Sequence, residues 1–258
     1  MYRGVIVPLI TPLDESGAVH RSSLHRLIDS IRREVSALMP ALSSGEGWKL
    51  SHEQWRDVVA YTVEHAQGLP VLAGIQLPDT RAVLERCGLA RELGVNAIVV
   101  TTPFAKGLPQ EAIYEHYRAL REGTSLPLFI YNEAALSQNH IELDTLLLIC
   151  RLPDVVGIKE SSGSVEFTRA LVASRSGVPV FQGWENLLIE APGIDGCVMP
   201  LANLAPTLCG AMLASPTQEK QAEINAACEQ YGLFKEDWYH GIKKELVRRS
   251  VIDSARVV

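Results

Sequence analysis

Short runs of Val, Ile and Leu alternate along the chain with longer stretches in which apolar residues recur every three or four positions. The runs read as strands buried on both faces and the longer stretches as helices covering them, which is the rhythm of a parallel α/β sheet. Strands are expected at residues 4–9, 37–41, 70–74, 97–101, 127–131, 155–159, 178–183 and 196–199. Helices are expected at about 21–33, 51–67, 79–93, 110–123, 142–151 and 164–175. Eight strand segments predict an α/β fold closed as a (β/α)8 TIM barrel. Ser51 with Gln54 predicts a capping box and Asp79 a second cap, while Pro192 and Gly193 in the stretch 184–194 predict a stunted helix.

Beyond the eighth strand, residues 205–215, 217–233 and 240–249 read as additional C-terminal helices. With no linker, low-complexity tract or charge block, the expected organisation is a barrel over 1–204 carrying a helical extension over 205–258 as a single structural unit. The final SARVV reads as an end that frays or that continues beyond this sequence. A doubly wound open sheet shows the same alternation. Its glycine-rich first turn is missing, however, because the first strand runs into Thr11, Pro12, Leu13 and Asp14.

Composition narrows the function classes. A length of 258 residues suits one barrel, and 47% hydrophobic with 21% charged residues is a folded globular composition. The formal charge of -6 comes with scattered basic residues, so nucleic acid is not an expected partner. The five cysteines, without a C-x-x-C pair, read as buried free thiols of a reducing cytosol, and the opening MYRGVIVPLITP lacks the marks of a secretory signal. No apolar run approaches the roughly 18 residues of a bilayer span. A cytoplasmic protein without a membrane partner is expected.

In barrels of this kind the active site lies at the C-terminal ends of the strands, so polar residues closing apolar runs are the first candidates. Lys159 closes DVVGIK. Burial there lowers an amine's pKa and frees it to attack a carbonyl, although position alone does not separate this reading from an ion-paired lysine at the barrel rim. Tyr131 closes LPLFIY on the preceding strand, roughly 4.8 Å away in a paired sheet, either as a proton relay or as a packed aromatic. Ser43, Ser44, Gly45 and Glu46 follow the second strand. Hydroxyls and successive backbone N–H groups suit a small carboxylate, and the same four residues suit a plain turn.

Together these segments resemble the dihydrodipicolinate synthase and N-acetylneuraminate lyase family. That family has a G-x-x-G-E loop after strand two, a YNxP-like tyrosine ending strand five and a G-I-K lysine ending strand six. Here LSSGE stands at 42–46, YNEA at 131–134 and GIKESSG at 157–163. GVIVPLITPLDESG, PVLAGI, TTPFAKGLPQEAIYEHY and GCVMPLANLAP extend the resemblance over essentially the whole chain. It implies a class I aldolase or lyase in which Lys159 forms a Schiff base with pyruvate or another 2-oxo acid. It also implies that Tyr131 relays protons and that Ser43 and Ser44 hold the carboxylate. Gly45 would allow close backbone approach, and Glu46 would brace the loop. A covalent imine needs no metal or organic cofactor. A homo-oligomer, dimer or tetramer, is implied as well.

Three departures bear on the second substrate. Leu42 replaces the first glycine of the loop motif, and Ala105 stands where the synthases carry a tyrosine that reaches a neighbouring subunit. Leu136 stands where they place an arginine for the aldehyde's carboxylate, and an apolar side chain cannot replace a bidentate clamp. Ser161, Ser162, Gln182, Trp184, Glu185 and Asn203 are the candidates for contact with a polar or hydroxylated tail. The expected chemistry is aldol or retro-aldol reaction of a 2-oxo acid. Dehydration of a 3-deoxy-2-oxo sugar acid ranks next and dihydrodipicolinate synthesis third. A barrel that binds a 2-oxo acid without turnover is the non-enzyme alternative.

Overall fold

Strand runs without polar alternation can be buried on both faces only if helices cover the outside and side chains fill the inside. The computed structural model, which describes residues 2–258, shows that arrangement. Eight parallel strands, β1 (Gly4–Pro8), β2 (Ala37–Met39), β3 (Leu72–Ile75), β4 (Ala97–Val100), β5 (Leu128–Asn132), β6 (Val155–Glu160), β7 (Val180–Gln182) and β8 (Gly196–Val198), alternate with helices. Pairing runs in the order β2-β1-β8-β7-β6-β5-β4-β3, and a parallel bridge between Leu38 and Val71 joins the two ends. The ring is therefore a closed barrel and not an open doubly wound sheet.

The interior holds a small cluster that includes Ile6, Ala37, Leu72, Val99, Phe129, Phe181 and Val198. Two buried rings, Phe129 and Phe181, meet there with centroids 5.3 Å apart. Residues of the opposite parity, such as Val5, Val7, Ile98, Val100, Leu128 and Ile130, join a larger outer cluster that continues to Ile252.

The outer layer consists of α1 (Arg21–Ile31), α2 (His52–His65), α3 (Thr80–Glu92), α4 (Gln110–Gly123), α5 (Leu143–Ile149) and α6 (Val165–Ala173). After β8 come α7 (Pro206–Ala214), α8 (Gln218–Tyr231) and α9 (Trp238–Arg248). Leu24, Leu27, Ile28 and Ile31 form the buried stripe of α1 at helical spacing. The Ser51–Gln54 capping box is made in both directions, and Asp79 accepts from the Ala82 N–H at 2.9 Å. Between β7 and β8 the chain makes only a short 3-10 turn over Glu185–Leu187, as its proline and glycine predict.

Boundaries move where local chemistry requires it. Strand β2 stops at Met39 because Pro40 cannot donate and Ala41 is left-handed at φ 58. Pro179, likewise without an N–H, precedes the start of β7. Strands β5 and β6 run one residue further than expected, to the paired Asn132 and Glu160. The Asn132 side chain donates to Glu160 Oε2 at 2.7 Å across that pair. The final residues do not fray: Lys243 Nζ donates to the Arg256 carbonyl at 2.8 Å, and the Val258 N–H to Glu46 Oε2 at 2.7 Å. No helix among the described residues is long and apolar enough to cross a membrane.

Candidate active site

Lys159 and Tyr131 share a face because of an irregularity in the sheet. Pairing of β5 with β6 begins at Leu128 with Val155, shifts by one residue, and continues from Phe129 with Gly157 to Tyr131 with Lys159. Without that shift Tyr131 would stand opposite Ile158. A one-residue slip exchanges the two faces of a strand, so the bulge is what turns both side chains inward at the C-terminal end of the barrel.

There the Lys159 amine sits 4.1 Å from the centre of the Tyr131 ring. Lys159 is only 3% exposed and makes no ion pair among the described residues. Burial pulls its pKa down to about 7, against an upward pull from the Glu185 and Glu133 carboxylates. Burial also pushes the Tyr131 phenol well above its ordinary value, which keeps it protonated. The Tyr131 hydroxyl lies 3.3 Å from Ser43 Oγ, and Gln76 Nε2 donates to the same Ser43 oxygen at 3.0 Å. Phenol and serine hydroxyl thus form a hydrogen-bonded pair beside the amine, with the serine held by an amide.

Lys159, Tyr131, Ser43, Ser44 and Ser161 line one cavity of about 540 Å³. Ser44 Oγ and Ser161 Oγ are buried without a hydrogen-bond partner among the described residues. Gly183 keeps the floor open, because a Cβ there would stand 1.9 Å from Ser161 Oγ and 3.2 Å from Lys159 Cε. A carboxylate with a neighbouring carbonyl would meet hydroxyl donors beside the amine in this space.

Two expected residues stand elsewhere. Gly45 lies outside the lining, its N–H bonded to the Leu42 carbonyl and its own carbonyl to Thr11 Oγ1. A Cβ on it would meet the Leu9 carbonyl at 2.8 Å, so the close approach it permits is to the segment that follows β1. Asn203 is a latch: its side chain donates to the carbonyls of Pro8 and Pro200 and accepts from the Ile10 N–H. Gln182 is committed too, its oxygen accepting from the N–H groups of Gly183 and Trp184. Glu46 braces the loop as the resemblance implies, through a buried ion pair with Lys243.

Several residues at the site, Gln76 behind the lining and Glu133 within it among them, are not sequence candidates. Gln76 follows the PVLAGI run directly, the same signal that marks Lys159. Glu133 directly follows the end of β5, and it accepts from the Leu136 and Ser137 N–H groups. Of the residues expected to contact a polar tail, Ser161, Trp184 and Glu185 line the cavity while Ser162, Gln182 and Asn203 do not, and Trp48, Phe234, Trp238 and Tyr239 join Trp184 in an aromatic outer wall. Their positions are scattered from residue 48 to residue 239, and no local pattern connects them.

A closed parallel barrel with a buried amine and a phenol at its C-terminal end is the framework of a lyase. The Dihydrodipicolinate synthetase family model matches residues 1–256, and the chain belongs to that family. The 4-hydroxy-tetrahydrodipicolinate synthase of Rhodospirillum centenum is 33% identical over 221 residues, which span 82% of this chain and 74% of the relative. The enzyme of the same name from Thermomicrobium roseum is 34% identical over 218 residues, 83% of this chain and 72% of the relative. Among solved structures, a chloride-inhibited dihydrodipicolinate synthase from Acinetobacter baumannii complexed with pyruvate superposes with a TM-score of 0.90 at 26% identity. That match covers 100% of this chain and 92% of the other. A monomeric dihydrodipicolinate synthase variant gives a TM-score of 0.89 at 27% identity, over 100% and 90% of the two chains.

Proposed function

We propose that Lys159 condenses with the keto carbon of pyruvate, or of a 2-oxo acid built on pyruvate, and that the resulting imine makes or breaks a carbon–carbon bond. The observation that carries this is the unpaired, buried Lys159 amine lying against Tyr131 in register. A pKa near 7 leaves a large neutral fraction at physiological pH, and only the neutral amine is a nucleophile. The iminium then withdraws electrons from C3, and loss of a proton there gives the enamine. Tyr131 and Ser43 pass protons between substrate oxygen and carbon. The hydroxyls of Ser43, Ser44 and Ser161 receive the carboxylate, which would satisfy the two buried oxygens without a partner among the described residues.

The chemistry proposed is covalent and uses neither a metal nor an organic cofactor. The complex of the Acinetobacter baumannii relative with pyruvate supports the choice of 2-oxo acid. The proposed working form is a cytoplasmic homo-oligomer, dimer or tetramer, whose barrel and C-terminal helices act as one unit.

The second reading is the synthase activity in the relatives' names. Leu136 lines the cavity and no arginine does, so a second carboxylate finds no bidentate partner there. The test is reduction with borohydride in the presence of pyruvate. A reduced pyruvate adduct on Lys159 is the expected result, and an unmodified Lys159 would refute the mechanism.

A further inference from the structure

The cavity that holds Lys159 has a volume of about 540 Å³, and its lining runs from the serines and Lys159 out to Leu233, Phe234, Trp238 and Tyr239. A benzene ring fills a cavity of about 150 Å³, so an aromatic group fits beside pyruvate with room to spare. Three of the chain's four tryptophans, Trp48, Trp184 and Trp238, line this outer part, with Phe234 and Tyr239. Trp184 and Phe234 are two of the three large hydrophobic side chains exposed on the described residues. Isolated exposed apolar residues are ordinary, whereas two at one cavity mouth, backed by three further rings, form an apolar binding patch.

Three of the rings, Trp48, Tyr239 and Trp184, are held by contacts within the protein. Lys49 lies 5.4 Å from the centre of Trp48 and 5.2 Å from that of Tyr239, and it donates to the Tyr239 hydroxyl at 3.0 Å. The Trp184 indole N–H donates to the Ser161 carbonyl at 3.0 Å, which ties the outer wall to the strand end that carries Lys159. Fixed rings stack on a flat ligand with little ordering cost. Charge points the same way. The lining holds three carboxylates, Glu133, Glu185 and Glu236, against the amines of Lys159 and Lys235, so an acceptor with its own carboxylate is disfavoured.

Resting on the Schiff-base reading above, we infer that the aldehyde half of the substrate is aromatic: the enzyme interconverts a 4-aryl-4-hydroxy-2-oxobutanoate with pyruvate and an aryl aldehyde. In the cleavage direction the substrate forms an iminium on Lys159 with loss of water. The C3–C4 bond breaks and its electron pair moves into the iminium, leaving the enamine. The C4 hydroxyl proton passes through the Tyr131–Ser43 pair to C3, and the aryl aldehyde departs. Water then hydrolyses the iminium to pyruvate and free Lys159, so no oxidant, reductant or net proton is required.

The test supplies pyruvate with benzaldehyde, glyceraldehyde or succinic semialdehyde and measures the hydroxy-oxo acid formed. Benzaldehyde is expected to give a kcat/KM at least about tenfold above the other two, the discrimination expected from stacking and apolar burial together. Trp184→Ala should lower the benzaldehyde value about tenfold and Trp184→Phe should restore most of it. If Trp184→Ala does not fold, Phe234→Ala at the exposed mouth should lower it about threefold. Equal loss for benzaldehyde and glyceraldehyde, or a preference for either polar aldehyde, would overturn the aryl assignment. Pyruvate trapped on Lys159 without any product from benzaldehyde would overturn the assignment alone, whereas failure to trap pyruvate would remove the Schiff-base reading with it.

Discussion

Two lysines of this barrel are buried, and they show what burial does and does not mean. Lys159 is 3% exposed and Lys243 is 0% exposed. Desolvation lowers the pKa of both. Lys243 meets Glu46 in a fully buried ion pair and also donates to the Arg256 carbonyl, so its charge is matched and its place is structural. Lys159 has no such partner. Its amine lies 4.1 Å from the centre of the Tyr131 ring, while the carboxylates of Glu185 and Glu133 raise its pKa without forming a salt bridge. The amine that can react is the one left without a counter-ion, and the paired one holds the loop that carries Ser43 and Ser44.

The largest contrast is expected from replacing each lysine by methionine. Lys159→Met should abolish pyruvate trapping and lower turnover at least about a thousandfold. The unfolded chain keeps this proton up to an ordinary pKa of 10.5, and the folded chain only up to about 7. Stability contributed by this site therefore rises with pH across that window. At lower pH the folded protein carries a buried charge that costs a few kcal/mol, so Lys159→Met should also raise the urea midpoint there.

Lys243→Met should do the reverse. It leaves Glu46 charged and unpaired and should cost about 3–5 kcal/mol by urea denaturation, while the remaining folded protein still traps pyruvate. Adding Glu46→Gln should recover part of the loss. If the two methionine variants behaved alike, the distinction between a reactive and a structural lysine would fail.

Tyr131→Phe sharpens the reactive side. It keeps the ring beside Lys159 and removes the hydroxyl bonded to Ser43, so imine trapping should persist while kcat falls about a hundredfold. The smallest effect is expected from Glu133→Gln. Removing one of the two carboxylates that raise the Lys159 pKa should move the pH midpoint of imine formation to lower pH, while an oxygen remains to accept from the Leu136 or Ser137 N–H. A midpoint shifted upward would show that Glu133 does not act on Lys159 electrostatically.

Much of this was legible in the sequence, and the limits have physical causes. Strand and helix positions follow from local periodicity, and the Ser51–Gln54 and Asp79 caps from local hydrogen bonding. Lys159 and Tyr131 stand out because each closes an apolar run. The bulge that sets them on one face leaves no local mark, since Val155 and Val156 look alike as strand residues. The packing roles of Gly45 and Asn203 are hidden in the sequence because they depend on contacts with residues 8–11, distant along the chain. The same distance hid the Glu46–Lys243 pair, 197 positions apart, and the aromatic wall assembled from several loops.

The central claim is that Lys159 is substantially uncharged at neutral pH. Its most direct test is the initial rate at which pyruvate is trapped on Lys159, measured from pH 5 to pH 11. A rise with pH that reaches half its plateau near pH 7 is the predicted result. A half-point near the ordinary lysine value of 10.5 would contradict it.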